Sequence, residues 1–305
     1  MPRLIMKKSN DKQTMSRRCA MRLGGVAAAL APAGFRERGV AADAPEAFIG
    51  ITTSSIDAHL GTTSAGGRIA IMDLPRVMRD ELGMRVIDLN TNTLAKAGKR
   101  IAAFRIEAEK AGCVITNLKM NQRGLDMNSP HEDVRNKALD VYRKSIDDAA
   151  KAGAKWARPL PLPQTPDLAI HADSYRRLAD HAEKRGVRML VENYGWMQGD
   201  PDSIPDLIKR IDRDVAASPD TGNWNSDELR WEGLRRSFPL AVTCDFKAKT
   251  LDQDGGHAAY DLRRCFEIGR EAGFRGPWCL EHAHRDRGKL FKELVLLRNM
   301  LAGWM

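Results

Sequence analysis

The sequence predicts an α/β protein folded as a (β/α)8 barrel, and three observations carry that prediction. From Phe48 onward, short β-branched or apolar runs alternate with stretches of helical apolar spacing, eight pairs in all. Strands that alternate with helices imply a parallel sheet with right-handed crossovers. Eight pairs in about 258 residues match the size at which such a sheet closes on itself. Finally, Gly83, Gly112, Gly153, Gly186 and Gly273 each stand between a helix and the next strand, where a helix commonly ends in a left-handed residue. An open doubly wound sheet is the alternative, and it usually carries G-x-G-x-x-G after its first strand. The segment Gly61 to Gly67, Gly-Thr-Thr-Ser-Ala-Gly-Gly, lacks that spacing.

Phe48–Ile56 reads as the first strand, and Gly67–Leu82 as a helix through Ile69, Met72, Leu74, Val77 and Met78. Met84–Leu89 is the second strand, with polar Asn90 at its end, followed by a helix over Lys99–Ala111. The third strand, Cys113–Leu118, precedes a helix over Glu132–Ala152; the fourth, Lys155–Leu160, precedes one over Ser174–Lys184. Four more strands at 187–193, 215–220, 241–247 and 277–281 alternate with helices at Ile204–Ile211, Asp227–Ser237, Tyr260–Ala272 and Lys289–Leu301.

The formal charge of +9 is uneven. Residues 1–44 hold nine Lys/Arg and three Asp/Glu, a net of +6, which leaves +3 for the remaining 40 basic and 37 acidic residues. No long Lys/Arg run with interleaved aromatics occurs in the body, so a nucleic-acid partner is not expected. The first 44 residues read instead as an export leader ahead of a barrel domain at 45–305. Lys7, Lys8, Lys12, Arg17, Arg18 and Arg22 precede a small-residue apolar run from Leu23 to Ala33. Ser16-Arg17-Arg18-Cys19-Ala20-Met21-Arg22 resembles the twin-arginine export signal, although Ala20 and Met21 stand where larger apolar residues are usual. That resemblance implies the twin-arginine translocation machinery as a partner, a periplasmic or secreted location, and cleavage after Ala42 or Ala44. A disordered basic tail is the alternative. The apolar run is too short for a stable membrane anchor. Cys113, Cys244, Cys265 and Cys279 have no Cys-x-x-Cys spacing and read as buried thiols.

Four acids sit near the ends of the last four strands: Glu192, Asp220, Asp245 and Glu281, at intervals of 28, 25 and 36 residues. Alternate residues of a barrel strand face inward, which places Glu192 with Leu190, Asp220 with Ser218, Asp245 with Thr243 and Lys247, and Glu281 with Cys279. Active sites of this fold lie at the carboxyl ends of the strands. Buried acids are costly without a counter-charge. Four converging carboxylates repel one another, and a divalent cation resolves that repulsion. All-oxygen donors favour Mn²⁺ or Mg²⁺ over Co²⁺ or Zn²⁺. An open coordination position would polarise a sugar carbonyl, so that Glu192 and Glu281 could move a proton through an enediolate that Lys247 stabilises.

At these residues the chain resembles the xylose isomerase-like TIM barrels, and within them the sugar phosphate isomerase/epimerase group. Val191-Glu192-Asn193, Pro219-Asp220-Thr221-Gly222-Asn223-Trp224, Lys247-Ala248-Lys249 and Gly273-Phe274-Arg275-Gly276 with Leu280-Glu281-His282 carry the resemblance, which runs from about Phe48 to the end. It implies that Glu192, Asp220, the strand-seven residue and Glu281 ligate a divalent metal, with the two glutamates also serving as acid and base. The family typically has His on strand seven, where this chain offers Asp245. Asp245 is either a ligand or an ion-pair partner of Lys247 or Lys249. Asp220 either ligates or caps its own turn. Asn223 contacts substrate or holds a left-handed turn, Trp196 and Trp224 wall a sugar face or pack in the core, and Arg158 and Asn90 line the mouth. His257, His282 and His284 are no obvious substitutes for the missing ligand, and His59 and His171 read as ordinary surface or satisfied histidines.

The expected function is a metal-dependent sugar isomerase or epimerase. Export favours an unphosphorylated carbohydrate, because sugar phosphates are mainly cytoplasmic. A lyase or hydrolase on the same barrel, or a non-catalytic periplasmic carbohydrate-binding protein, are the alternatives. An endonuclease IV-like enzyme ranks last, for want of a His-rich site and a basic groove. Family members often self-associate, so a homo-oligomer is also expected.

Overall fold

The computed structural model describes residues 48–252 and 255–305. The export-leader reading of residues 1–44, with its translocation partner, falls outside the described residues. Eight parallel strands form the barrel: β1 (Ile49–Thr52), β2 (Val86–Asn90), β3 (Val114–Met120), β4 (Trp156–Pro159), β5 (Arg188–Val191), β6 (Val215–Ala217), β7 (Cys244–Lys247) and β8 (Trp278–Glu281). They pair in the order β6-β5-β4-β3-β2-β1-β8-β7. Isolated parallel bridges, Ala217 with Ala241 and Asp220 with Asp245, join the two ends of that row and close it. Outside lie α1 (Leu74–Asp80), α2 (Thr91–Ala95), α3 (Ile101–Lys110), α4 (Glu132–Ala152), α5 (Leu168–Glu183), α6 (Ser203–Ile211), α7 (Asp227–Ser237), α8 (Leu262–Glu271) and α9 (Arg287–Trp304). Among the described residues, no helix is long and apolar enough to cross a membrane.

Differences from the expected elements have local causes. The helix expected from Gly67 begins only at Leu74. Gly66 and Gly67 hold positive φ, and the chain first forms a two-residue parallel pair, Leu60–Gly61 with Ile69–Ala70. Pro75 then opens α1, where a missing N–H costs nothing. Helix α5 starts at Leu168, six residues earlier than its apolar spacing suggests, because Asp167 caps it by accepting from the N–H groups of Ala169 and Ile170. Strand β6 is only three residues long; Pro219, which has no N–H to donate, follows it closely.

The strands separate two layers of different chemistry. Their outward residues, among them Ile51, Ile87, Leu118, Val191, Phe246 and Leu280, join Tyr142, Leu178, Leu294 and Leu297 of the helices in one apolar core. Their inward residues are largely polar, and Asp88, Asn117, Lys119, Arg158, Ser218, Asp220, Thr243 and Asp245 are all buried. Cys113, Cys244, Cys265 and Cys279 are free and buried.

Candidate active site

The site is shaped by the turn after β6. Asn193, just beyond β5, accepts from the Asp220 N–H at 2.7 Å and donates to the carbonyls of Asp220 (3.0 Å) and Asn223 (2.8 Å). Asp220 then caps the turn itself: its Oδ1 accepts from the N–H groups of Gly222 (2.6 Å) and Asn223 (3.1 Å). Its Oδ2 points the other way, toward Lys247. A Cβ on Gly222 would lie 2.6 Å from Lys247 Cδ and 2.8 Å from the Tyr260 hydroxyl. Glycine at 222 therefore lets the lysine stem run against the turn backbone.

Every candidate acid stands against a cation, with Glu281 and Asp220 sharing Lys247. Lys247 Nζ stands 2.8 Å from Glu281 Oε1, 3.3 Å from Asp220 Oδ2 and 3.2 Å from Asn223 Oδ1. Asn223 donates its amide to Glu192 Oε1 at 3.2 Å, so it links the two halves of the site. Arg158 of β4 forms a buried ion pair with Glu192 and donates to Asn121 Oδ1 at 3.1 Å. Lys119 of β3 reaches across the barrel to Asp245 Oδ1 at 2.6 Å, with Thr52 Oγ1 at 2.8 Å and Glu281 Oε2 at 3.7 Å. It is 2 % exposed. A lysine this enclosed is tolerable only because it is paired.

Strand register sorts these groups by depth. Glu281 of β8 is paired with Lys247 of β7, and Cys279 with Asp245. The strand-seven side chain level with Glu281 is thus Lys247, and Asp245 lies two residues deeper, among Lys119 and the floor of the barrel. Asp88 of β2 accepts from Asn117 at 3.3 Å.

Burial dominates the protonation of the acids. It raises Asp88 and lifts Asp245 well above the usual carboxylate range, against the opposing pull of Lys119 in each case. It pushes Asp220 up to about 6, with Lys247 opposing. Glu281 goes the other way: burial would raise it, but Lys119 and Lys247 together outweigh burial and hold it below its ordinary value. Burial would also lower the two lysines, yet the surrounding carboxylates keep both raised.

Glu192, Asp220 and Asp245 form a buried triad whose ligand oxygens lie within 4.8 Å of one another. Such hard donors are of the type that holds Mg²⁺ or Mn²⁺. Asp245 Oδ2 is buried without a hydrogen-bond partner among the described residues. The charges around the triad, however, do not fit a resident divalent ion. Lys247, Lys119 and Arg158 already stand against these carboxylates, so an ion entering the triad would compete with, and be repelled by, positive charges fixed to the chain. Five carboxylates (Asp88, Glu192, Asp220, Asp245, Glu281) face three cations that belong to the chain itself, Lys119, Arg158 and Lys247.

A cavity of about 320 Å³ opens above these groups. Glu192, Glu281, Lys247, Asn223, Arg158 and Asn90 line it, as do Lys119, Asn121, Arg123 and Tyr194, which sequence reading did not single out. The signal for Lys119 was present: Asn117 and Lys119 alternate with apolar residues in a buried strand. Trp196 and Trp224 do not line this cavity. Trp224 is 6 % exposed and packs its ring on Gly233, and Trp196 meets the edge of His171. His171, read as surface or satisfied, is buried, with Nδ1 on Asn128 and Nε2 without a hydrogen-bond partner among the described residues. His282 faces away from the acids, toward the Ala248 carbonyl (3.0 Å) and Glu293 (2.8 Å).

The family described as "Xylose isomerase-like TIM barrel" matches residues 80–300. A xylose isomerase-like TIM barrel protein from Mycobacterium smegmatis, in complex with magnesium, is similar at 19% identity and TM-score 0.60, over 86% of this chain and 97% of that one. A sugar phosphate isomerase/epimerase from Parabacteroides distasonis is similar at 14% identity and TM-score 0.62, over 87% and 96%. D-psicose 3-epimerase from Clostridium cellulolyticum, in a structure with D-tagatose, is similar at 16% identity and TM-score 0.64, over 83% and 97%. At these identities the likeness establishes the fold. No curated protein matches the chain.

Proposed function

The chain belongs to the xylose isomerase-like TIM barrel family, and from that premise we propose that it is a sugar isomerase or epimerase, moving a proton on the carbon beside a carbonyl. The observation that carries this reading is that Glu192 and Glu281, from β5 and β8, line one polar cavity with the Lys247 ammonium beside them. Glu281, held ionised by two lysines, takes the proton. The negative charge that develops on the carbonyl oxygen is met by the Lys247 ammonium, fixed in place before reaction by the Gly222 turn. Glu192, oriented by Arg158 and Asn223, exchanges a proton with the substrate as the second acid/base group. Asn90, Asn121 and Asn223 supply hydrogen bonds to hydroxyl groups. The sugar epimerases among the similar folds support this chemistry. The export-like leader supports an unphosphorylated sugar or keto-sugar as substrate, in the periplasm or outside the cell.

Incubation with candidate ketoses in deuterium oxide tests the reading. Wild type incorporates solvent deuterium next to the carbonyl, and Glu192→Gln and Glu281→Gln each slow incorporation by about 10²–10⁴-fold. Unchanged exchange in both variants would remove the two glutamates from the reaction. A carbohydrate that binds without exchange in any epimerisable position would favour the binding-protein alternative.

A further inference from the structure

We propose that the Lys247 ammonium occupies the place of the divalent cation in this site, so that the protein works without a bound metal. The strand register brings Lys247, not Asp245, level with Glu281. From there its Nζ bridges carboxylates of two different strand ends, Glu281 Oε1 at 2.8 Å and Asp220 Oδ2 at 3.3 Å, and takes a third oxygen from Asn223 at 3.2 Å. Three oxygens from three side chains around one positive centre is the arrangement a hard cation seeks. Here the centre is covalently part of the chain.

Two features show that this placement is built. Gly222 is a glycine where any side chain would strike the lysine stem and the Tyr260 hydroxyl. The Tyr260 hydroxyl in turn donates to the Lys247 carbonyl, and the Thr221 hydroxyl accepts from the Lys247 N–H at 2.9 Å, so the backbone of the residue is held from both sides. Beneath it, Lys119 occupies the remaining approach to the carboxylates, 2.6 Å from Asp245 and 3.7 Å from Glu281. A divalent ion entering the triad of Glu192, Asp220 and Asp245 would displace at least one ammonium.

The inference concerns the cation alone and stands for any reaction at this cavity. Its test therefore reads metal rather than turnover. The full chain is purified with Mn²⁺ in excess, dialysed and analysed for metal, and then titrated with MnCl₂ by calorimetry and by the Mn²⁺ electron paramagnetic resonance signal. Wild type is expected to retain no stoichiometric metal and to show no saturable Mn²⁺ site at micromolar concentration. Lys247→Ala and Lys247→His are each expected to bind about one Mn²⁺ per chain, at least about tenfold more tightly than wild type, because a fixed positive charge has left the carboxylates. Stoichiometric metal in wild type overturns the proposal whether or not the variants fold. Variants that fold, by their thermal transition, and bind Mn²⁺ no more tightly than wild type overturn it equally. Loss of deuterium exchange in Glu281→Gln leaves these titrations unaffected as a test, so the two readings fail separately.

Discussion

The two faces of the barrel wall follow opposite rules. Outside, between strands and helices, Ile51, Ile87, Phe246 and Leu280 pack with Leu294 and Leu297 in an apolar layer whose stability comes from area removed from water. Inside, Asp88, Lys119, Arg158, Glu192, Asp220 and Asp245 are just as buried and are all ionisable. The outer layer tolerates exchange of one apolar shape for another of similar volume. In the inner layer each charge is tolerable only beside its partner, so losing one member leaves the other stranded. The difference teaches that this barrel is held together from outside and tuned from inside.

Lys119→Met is the sharpest way to break that contrast. It strands Asp245 and removes a cation from Glu281, and it is expected to destabilise the fold by about 3–5 kcal/mol in chemical denaturation. Combining it with Asp245→Leu should return most of that loss, because the pair is then replaced by apolar volume. If the double variant is as unstable as the single one, the pair is not the source of the cost.

His171, on α5, is one of the polar side chains buried among the helices. Burial lowers it to about 4, below its unfolded value of about 6.5. Its neutral form is therefore what the fold accommodates. This contribution to stability is fully present above pH 6.5 and is lost as pH falls toward 4, because the unfolded chain then binds a proton that the folded one refuses. The loss amounts to about 3 kcal/mol. His171→Gln should flatten that acid limb in denaturation curves taken from pH 7 to pH 4; an unchanged limb would place the titration elsewhere. The smallest expected effect is Asp167→Ala, which removes the cap of α5 for about 1 kcal/mol and leaves deuterium exchange at the cavity untouched.

Much of this was legible in the residues. The helices at 132–152 and 227–237 fall where apolar spacing sets them, because a long amphipathic face or a Ser226 cap is local information. The acids were legible too: a carboxylate ending an apolar run is conspicuous at any distance from its partners. Glu192, Asp220, Lys247, Glu281, Asn223 and Arg158 do come together. Trp196 and Trp224 did not join them. A tryptophan beside a cavity-lining residue in sequence has either face of the wall open to it, and Gly233 offered Trp224 a bare helix surface to cover.

The sequence by itself determined the eight strand–helix pairs and the placing of Glu192, Asp220 and Glu281 at or just past strand ends, while Asp245 lies inside β7 rather than at its end, since the pairs and those ends rest on periodicities that neighbours impose on one another. Only the tertiary structure decided what neutralises those acids. Lys119 arrives from β3, on the far side of the barrel from β7, and Lys247 turns inward level with Glu281 because of a pairing register that no local pattern reveals. Coulomb energy depends on separation in space, and closing the barrel is the step that creates those separations.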